Sequence, residues 1–519
     1  MSLAVLASRA LCGLQALPVL VEVHVGSGLP SFTVVGLPDA GVRESRERVR
    51  SAIINSGYDF PAGRITANLA PADLPKESGR FDLPIALGVL LASGQVACCD
   101  PNLSAGLYLQ SYVFAGELSL TGAVVKVGAP LAIALAVARS QPGATLVLPA
   151  DGAQMAAAVP GITVLAANCL ADVVAHLNGL ADLPVALAAP LVSMPSSSPC
   201  LSDVKGQAVA RRVLEVAAAG GHSVLMTGPP GVGKSMLAQR LPGILPRLSS
   251  EQVLDVAALN SLNGYSDILD DMPPFRAPHH SATMPALVGG GVYPRPGEIS
   301  LAHHGVLFLD ELAEFKRPVL EALREPLETG AVTIARALRS SQFPAKFQLI
   351  AAMNPCPCGW LGHKRMQCVC RLDQVERYRG KVSGPFLDRI DLNITLAPVE
   401  FDWTNAALGE ASEVVRERVL LCRERQHRRQ GCLNVDIEPS QMDSLCVLDT
   451  TAKQVLKQGI ERWSWSARAT HRVIRVARTL ADLQDTATIL PVHIAEAMQY
   501  RQSWPALANA LDKTAHLVV

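Results

Sequence analysis

"HSVLMTGPPGVGKSMLAQRL", residues 222–241, decides the fold of this chain. It opens as a short apolar run and closes on an amphipathic helical period. Between them lies G-x-x-x-x-G-K-S, residues 228–235. Strand, glycine-rich loop and helix in that order form a phosphate-binding turn. The loop Gly228, Pro229, Pro230, Gly231, Val232 and Gly233 lets backbone N–H groups close on phosphate oxygens, and the helix N-terminus behind it favours an anion. Lys234 is expected to reach the β- and γ-phosphates, and Ser235 to hold Mg²⁺. The ligand implied is a nucleoside triphosphate such as ATP.

Working outward, "GVLFLDELAEF" (305–315) is an apolar strand ending in two carboxylates. Asp310 is expected to bind magnesium and Glu311 to take a proton from the attacking water, because phosphoryl transfer needs positioning and charge. "FQLIAAMNP" (347–355) is a second buried strand ending in Asn354, whose amide suits orientation of water or of the γ-phosphate. "SGPFLDRIDL" (383–392) then supplies Arg389, and "WSWSARATHR" (463–472) supplies Arg468.

This order resembles an AAA+ ATPase. The resemblance implies that Arg389 enters the neighbouring subunit's site and that Arg468 senses the nucleotide from the helical lid. An arginine supplied in trans is worth ~10³–10⁵ in rate. It also implies a ring of identical chains, a homo-hexamer.

The bulk numbers set limits on the rest. With 519 residues the chain exceeds one ordinary core. It is 49% hydrophobic and 18% charged, a globular composition. Lys and Arg total 46 against 46 Asp and Glu. Residues 1–200 carry 10 basic and 13 acidic side chains, so a nucleic-acid partner would have to be held by local clusters. The uncharged stretches 83–99 and 152–171 are short or broken by Pro, Gly, Gln and Asn, and read as buried core, with no membrane partner. Twelve cysteines without a secretory leader point to a reducing cytoplasm.

The chain divides into three segments and a linker. Residues 1–182 alternate strand-like "VLVEVHV" and "SFTVVGL" with helix-like "DAGVRESRERVRSAIINSG", an α+β pattern. Residues 183–200, rich in Pro and Ser, read as a linker. Residues 201–398 form the α/β core with a parallel sheet, and 399–519 a helical lid. In the lid Val473, Val476, Ala477 and Leu480 share one face, with Arg468, Arg472 and Arg475 on another.

Longer blocks narrow the resemblance. "FRAPHHSATMPALVGGGVYPRPGEISLAHHGVLFLDELAEF", "LETGAVTIARA" and "AAMNPCPCG" resemble the magnesium-chelatase-like group. "VEVHVGSGLPSFTVVGLPDAGVRESRERVRSAI" and "NLAPADLPKESGRFDLPIALGVL" resemble the Lon-protease-like domain joined to it. Together they are similar to the ComM/YifB family, which implies an ATP-driven hexameric motor promoting branch migration of DNA during natural transformation. Two rival loads are a polypeptide and a metal ion inserted into a porphyrin. Against proteolysis, Phe81 stands where the resemblance expects the serine, Ser78 is offset, and the helix after Gly128 lacks the lysine, Lys126 preceding it.

"NPCPCGWLGHKRMQCVC" (354–370) sets Cys356, Cys358, Cys368 and Cys370 in a C-x-C, nine-residue, C-x-C pattern. Four thiolates in the loop 356–370 suit a tetrahedral structural zinc; free thiols or a redox pair are the alternative. The pairs His279-His280 and His303-His304 read as structural, since neighbours on a strand face opposite ways.

For DNA, "ETGAVTIARALRSSQFPAKF" (328–347) reads as a hairpin with Arg336 and Arg339 at a basic turn. "VGGGVYPRPGE" (288–298) presents Tyr293 and Arg295 on a second loop. The six arginines between Arg416 and Arg429 read first as a solvated helix face and second as a DNA contact.

Overall fold

The structure is a computed structural model. It describes residues 2–37, 40–72, 74, 76, 79–97, 105–192, 199–265, 268–291, 294–336, 339–397 and 408–501. Seven strands make the first sheet: β1 (Ser2–Cys12), β2 (Gln15–Gly26), β3 (Ser31–Val35), β4 (Arg64–Ala70), β5 (Tyr112–Phe114), β6 (Thr145–Pro149) and β7 (Thr163–Ala167). Their order is β3-β4-β2-β1-β5-β6-β7. The β1–β2 hairpin is antiparallel and pairs Ser2 with Val25 through to Cys12 with Gln15, while β5, β6 and β7 run parallel. Helices α1 (Ala40–Asn55), α2 (Asp82–Ala92) and α3 (Pro130–Ser140) cover it. Ten of the eleven residues of α2 are buried, so its apolar run is core. Among the described residues no helix is long and apolar enough to cross a membrane.

The second sheet holds β8 (Val224–Thr227), β9 (Phe275–Arg276), β10 (Val306–Leu309), β13 (Gln348–Met353) and β14 (Leu392–Thr395). The intervening strands β11 (Ala331–Arg336) and β12 (Arg339–Pro344) form a separate hairpin. The sheet order is β9-β10-β13-β8-β14, and every pairing is parallel. A parallel sheet must be covered on both faces, and its strands alternate accordingly. Val224, Met226, Val306, Phe308, Ile350 and Ala352 point into one core; Leu225, Leu307, Leu309, Leu349, Ala351 and Met353 point into the other.

Helix α4 (Ala208–Gly220) leads into this sheet, α5 (Lys234–Ala238) follows β8, and α6 (Ser250–Leu262) begins on a Ser249–Gln252 capping box. The C-terminal helices are α7 (Ser412–Gln430), α8 (Thr450–Trp463), α9 (Ala467–Leu483) and α10 (Pro491–Gln499). They share the first core with α4 through Val473, Val476, Ala477 and Leu480, each Val or Leu contributing about 1.5–3 kcal/mol when fully buried.

A polar network joins α7 and α9. Asp482 accepts hydrogen bonds from Arg429, Arg478 and Asn434 at 2.6–3.1 Å. Four of the six arginines of α7 therefore depart from a solvated face, while Arg428 stays exposed beside Glu424. Arg418 pairs with Glu215 and Glu410, Arg423 donates to Ala218 O, and Arg425 and Arg429 hold Asp482. These four meet partners inside the chain because α7 lies against α4 and α9.

The stretch read as a linker is partly tied down. Leu191–Val192 pairs in parallel with Leu269–Asp270. A further core joins α3 to Leu248, Val253, Leu254, Ala257 and Ala258 at and within α6, so the first sheet packs directly on the second unit.

Candidate nucleotide site

Parallel sheets place ligands beyond the C-terminal ends of their strands. β8, β10 and β13 are neighbours there, which gathers residues far apart in sequence. The loop after β8 ends on Gly233, whose φ of +95° is a left-handed conformation that L side chains rarely adopt. It delivers Lys234 as the first residue of α5.

Lys234 Nζ donates to Gly228 O at 2.7 Å, Pro229 O at 3.0 Å and Asn354 Oδ1 at 3.0 Å. Burial holds its ammonium below the ordinary value, against the pull of Asp310 and Glu311. A desolvated cation held by neutral oxygens gains from phosphate, a charged acceptor.

Ser235 Oγ donates to Asp310 Oδ2 at 2.6 Å, and the Glu311 N–H donates to Asp310 Oδ1 at 2.9 Å. One hydroxyl and one carboxylate in contact are hard oxygen donors that fit Mg²⁺, which takes one or two protein ligands beside phosphate oxygens. Glu311 sits at φ +52°, a strained backbone for a non-glycine residue, and its side chain is exposed. His280 Nδ1 lies 3.1 Å from Glu311 Oε2. The sequence reading missed this partner. Its one signal is position: His280 follows β9, the strand beside β10, so both strand ends open on the same edge.

The two arginines are placed differently. Arg389 has a side chain only 9% exposed, with Nη2 2.6 Å from Glu328 Oε1 and Nη1 donating to Pro385 O at 2.7 Å. Arg468 lies in the first turn of α9 behind the Ser466 cap; it is exposed and makes no hydrogen bond or ion pair among the described residues. Neither is joined to the loop at 228–235 within one chain.

Comparison with known proteins fits this geometry. Family models described as magnesium chelatase, subunit ChlI, match residues 200–403, and as subunit ChlI of Mg-chelatase, residues 21–152. A third, for the ChlI C-terminal part, matches 409–501. YifB of Salmonella typhimurium is 46% identical over 507 residues, covering 96% of this chain and 97% of that protein. Competence protein ComM of Haemophilus influenzae is 45% identical over 527 residues, 100% of both chains. YifB of Escherichia coli is 45% identical over 507 residues. This chain belongs to the ComM/YifB family.

In this ComM/YifB chain the four cysteines come together. Cys356 Sγ lies 3.5 Å from Cys358 Sγ and 3.7 Å from Cys368 Sγ, and Cys358 Sγ lies 3.6 Å from Cys368 Sγ. A tetrahedron with ~2.3 Å metal–sulfur bonds has edges of about 3.8 Å, so the thiols fit zinc. Backbone N–H groups of Cys358 and Leu361 donate to Cys370 and Cys356 sulfurs at 3.4 Å, as outer partners of thiolates do. The loop also abuts the phosphate loop: a Cβ on Gly359 would stand 2.7 Å from Pro230 Cδ.

His303 and His304 depart from the expected opposite facing. His304 has φ +59°, and the rings lie side by side, tilted by 35° with centroids 3.8 Å apart, beside Asp255. The Lys346 N–H donates to His303 Nδ1 at 3.0 Å, so Nε2 carries the proton and has no lone pair for a metal. Burial and then the charge of His304 hold His303 down to about 3, a neutral structural ring.

The expected DNA contacts are reached only in part. Arg336 and Arg339 pair across the end of the β11–β12 hairpin, but their side chains lie outside the described residues, as does Tyr293. Arg295 is exposed and pairs with Gly290. In the first unit Phe81 is fully buried and Lys126 exposed; Ser78 lies outside the described residues.

Proposed function

We propose that this chain is a cytoplasmic ATPase that works as a homo-hexameric motor on branched or single-stranded DNA, promoting branch migration of recombination intermediates in natural transformation. The convergence of Lys234, Ser235, Asp310, Glu311 and Asn354 on one sheet edge carries the reading. The competence name of the Haemophilus influenzae relative supports the DNA load. In this reading residues 1–182 are a Lon-like scaffold, 183–200 a linker, 201–398 the AAA+ core and 399–519 the lid. The fully buried Phe81 argues against peptidase chemistry there.

Lys234 neutralises the transferring phosphoryl group, Asn354 orients the attacking water and Glu311 accepts its proton. Ser235 and Asp310 would hold Mg²⁺, which would supply charge neutralisation for the transferring phosphoryl group. Arg389 of an adjacent copy adds positive charge as the bond breaks, and Arg468 reads the nucleotide from the lid.

DNA should raise ATP turnover, and binding should be sequence-tolerant and salt-sensitive. Arg336→Ala with Arg339→Ala should flatten the log K against log salt slope by roughly 0.7–0.9 per lost phosphate contact. An unchanged slope would remove those residues from the interface. Strand exchange on a three-stranded junction, with and without ATP, tests the motor itself. Absence of both DNA stimulation and strand exchange would favour the second reading, a chelatase-type motor, which the family description supports.

We also propose structural zinc at Cys356, Cys358, Cys368 and Cys370. Purified protein should carry one equivalent per chain by elemental analysis, and Cys358→Ser should lose most of it. Less than half an equivalent in the unaltered protein would leave the four as free thiols.

A further inference from the structure

The segment that presents Arg389 is gripped from the C-terminal helices. Arg472 Nη1 donates to the backbone oxygen of Arg389 at 2.8 Å and to Asp391 Oδ1 at 2.6 Å. Asp391 is buried, and its other oxygen accepts from the Ser223 N–H at 3.0 Å, at the entry to β8. The Asp391 N–H donates to Ser223 Oγ at 2.9 Å. From beyond α10, Arg501 donates to Ile390 O and, at 2.7 Å, to Asp388 Oδ1. Burial pushes the Asp391 carboxyl up, but His222, whose Nδ1 lies 3.8 Å from Oδ2, and the charge of Arg472 reverse this, so it stays a carboxylate.

The main chain on both sides of Arg389 is thus fixed by two arginines of the C-terminal unit. Its side chain meanwhile rests on Glu328, which is half exposed. Arg472 also stands one helical turn after Arg468 on α9, so the two share a face. We infer that Arg472 is a positioning residue: through it, the helix carrying the nucleotide-sensing Arg468 sets where Arg389 is offered to the adjacent copy. The lid of one subunit would thereby govern catalysis in its neighbour's site. This rests on the reading of Arg389 as an arginine acting in trans.

Complementation separates this role from a merely structural one. Arg472→Gln should lower ATP turnover by about 10²-fold, the scale of a misplaced catalytic group, with KM for ATP unchanged. Mixed with Glu311→Gln chains, which lack the base but keep a well-placed Arg389, its sites should recover turnover. Arg389→Ala mixed with Glu311→Gln should recover likewise. Recovery for Arg389→Ala but not for Arg472→Gln would overturn the inference, because Arg472 would then serve its own site or the fold. A rise in KM for Arg472→Gln would do the same. No recovery for Arg389→Ala would remove the trans reading, and this inference with it. Should Arg472→Gln alone not fold, Asp391→Asn with Arg472→Gln leaves no unpaired buried charge and carries the same test.

Discussion

Glu311→Gln should bind ATP as tightly as the unaltered protein and hydrolyse it about 10²–10⁴-fold more slowly. The amide keeps the size of the side chain and can still accept a hydrogen bond from His280, which lies 3.1 Å from Oε2. It cannot take a proton from water. The contacts of Lys234 and the Ser235–Asp310 pair lie on other side chains and should be untouched. Titration with a fluorescent ATP analogue and a phosphate-release assay read the two halves of the expectation. Ordinary turnover in the variant would assign the base elsewhere. Weakened binding would make Glu311 a nucleotide contact instead.

Arg389→Ala should lower turnover ~10³–10⁵-fold, the range of an arginine supplied in trans. It should leave ATP affinity of the same chain nearly unchanged, because Arg389 contacts Glu328 and Pro385 rather than the loop at 228–235. Doping the variant into unaltered chains should depress activity in step with the fraction of sites that face an altered neighbour. Activity that stays level as the variant is added would rule out a shared site. The Glu328 contact belongs to the same expectation: acting in trans would require the arginine to leave a carboxylate of its own chain.

What was legible in the sequence was what the chain writes locally. Residues 222–241 carry strand, turn and helix in one window, and β10 and β13 announce themselves as apolar runs ending in polar residues. The parallel sheet follows, and with it the meeting of Lys234, Asp310 and Asn354. The cysteines were readable for the same reason, their spacing being short enough to close one loop. Contacts made by strand order or by helix packing were not. His280 and Glu311 lie 31 residues apart and meet because β9 and β10 are neighbours. Arg472 meets Arg389 across 83 residues. His303 and His304 were expected on opposite faces because a strand was assumed, and a left-handed residue at 304 places them side by side. Arg418, Arg423, Arg425 and Arg429 read as solvated because sequence shows charge but not the carboxylates and carbonyls that meet it.

The apolar seam between α3 and α6 ties the first unit to the second. Cutting the chain near residue 200 would lay Leu248, Val253, Leu254 and Ala257 bare on one fragment and Leu131 and Val137 on the other, two sticky wounds rather than two clean parts. The front unit is therefore no detachable accessory: whatever the unit carrying the loop at 228–235 does, residues 1–182 are packed onto it.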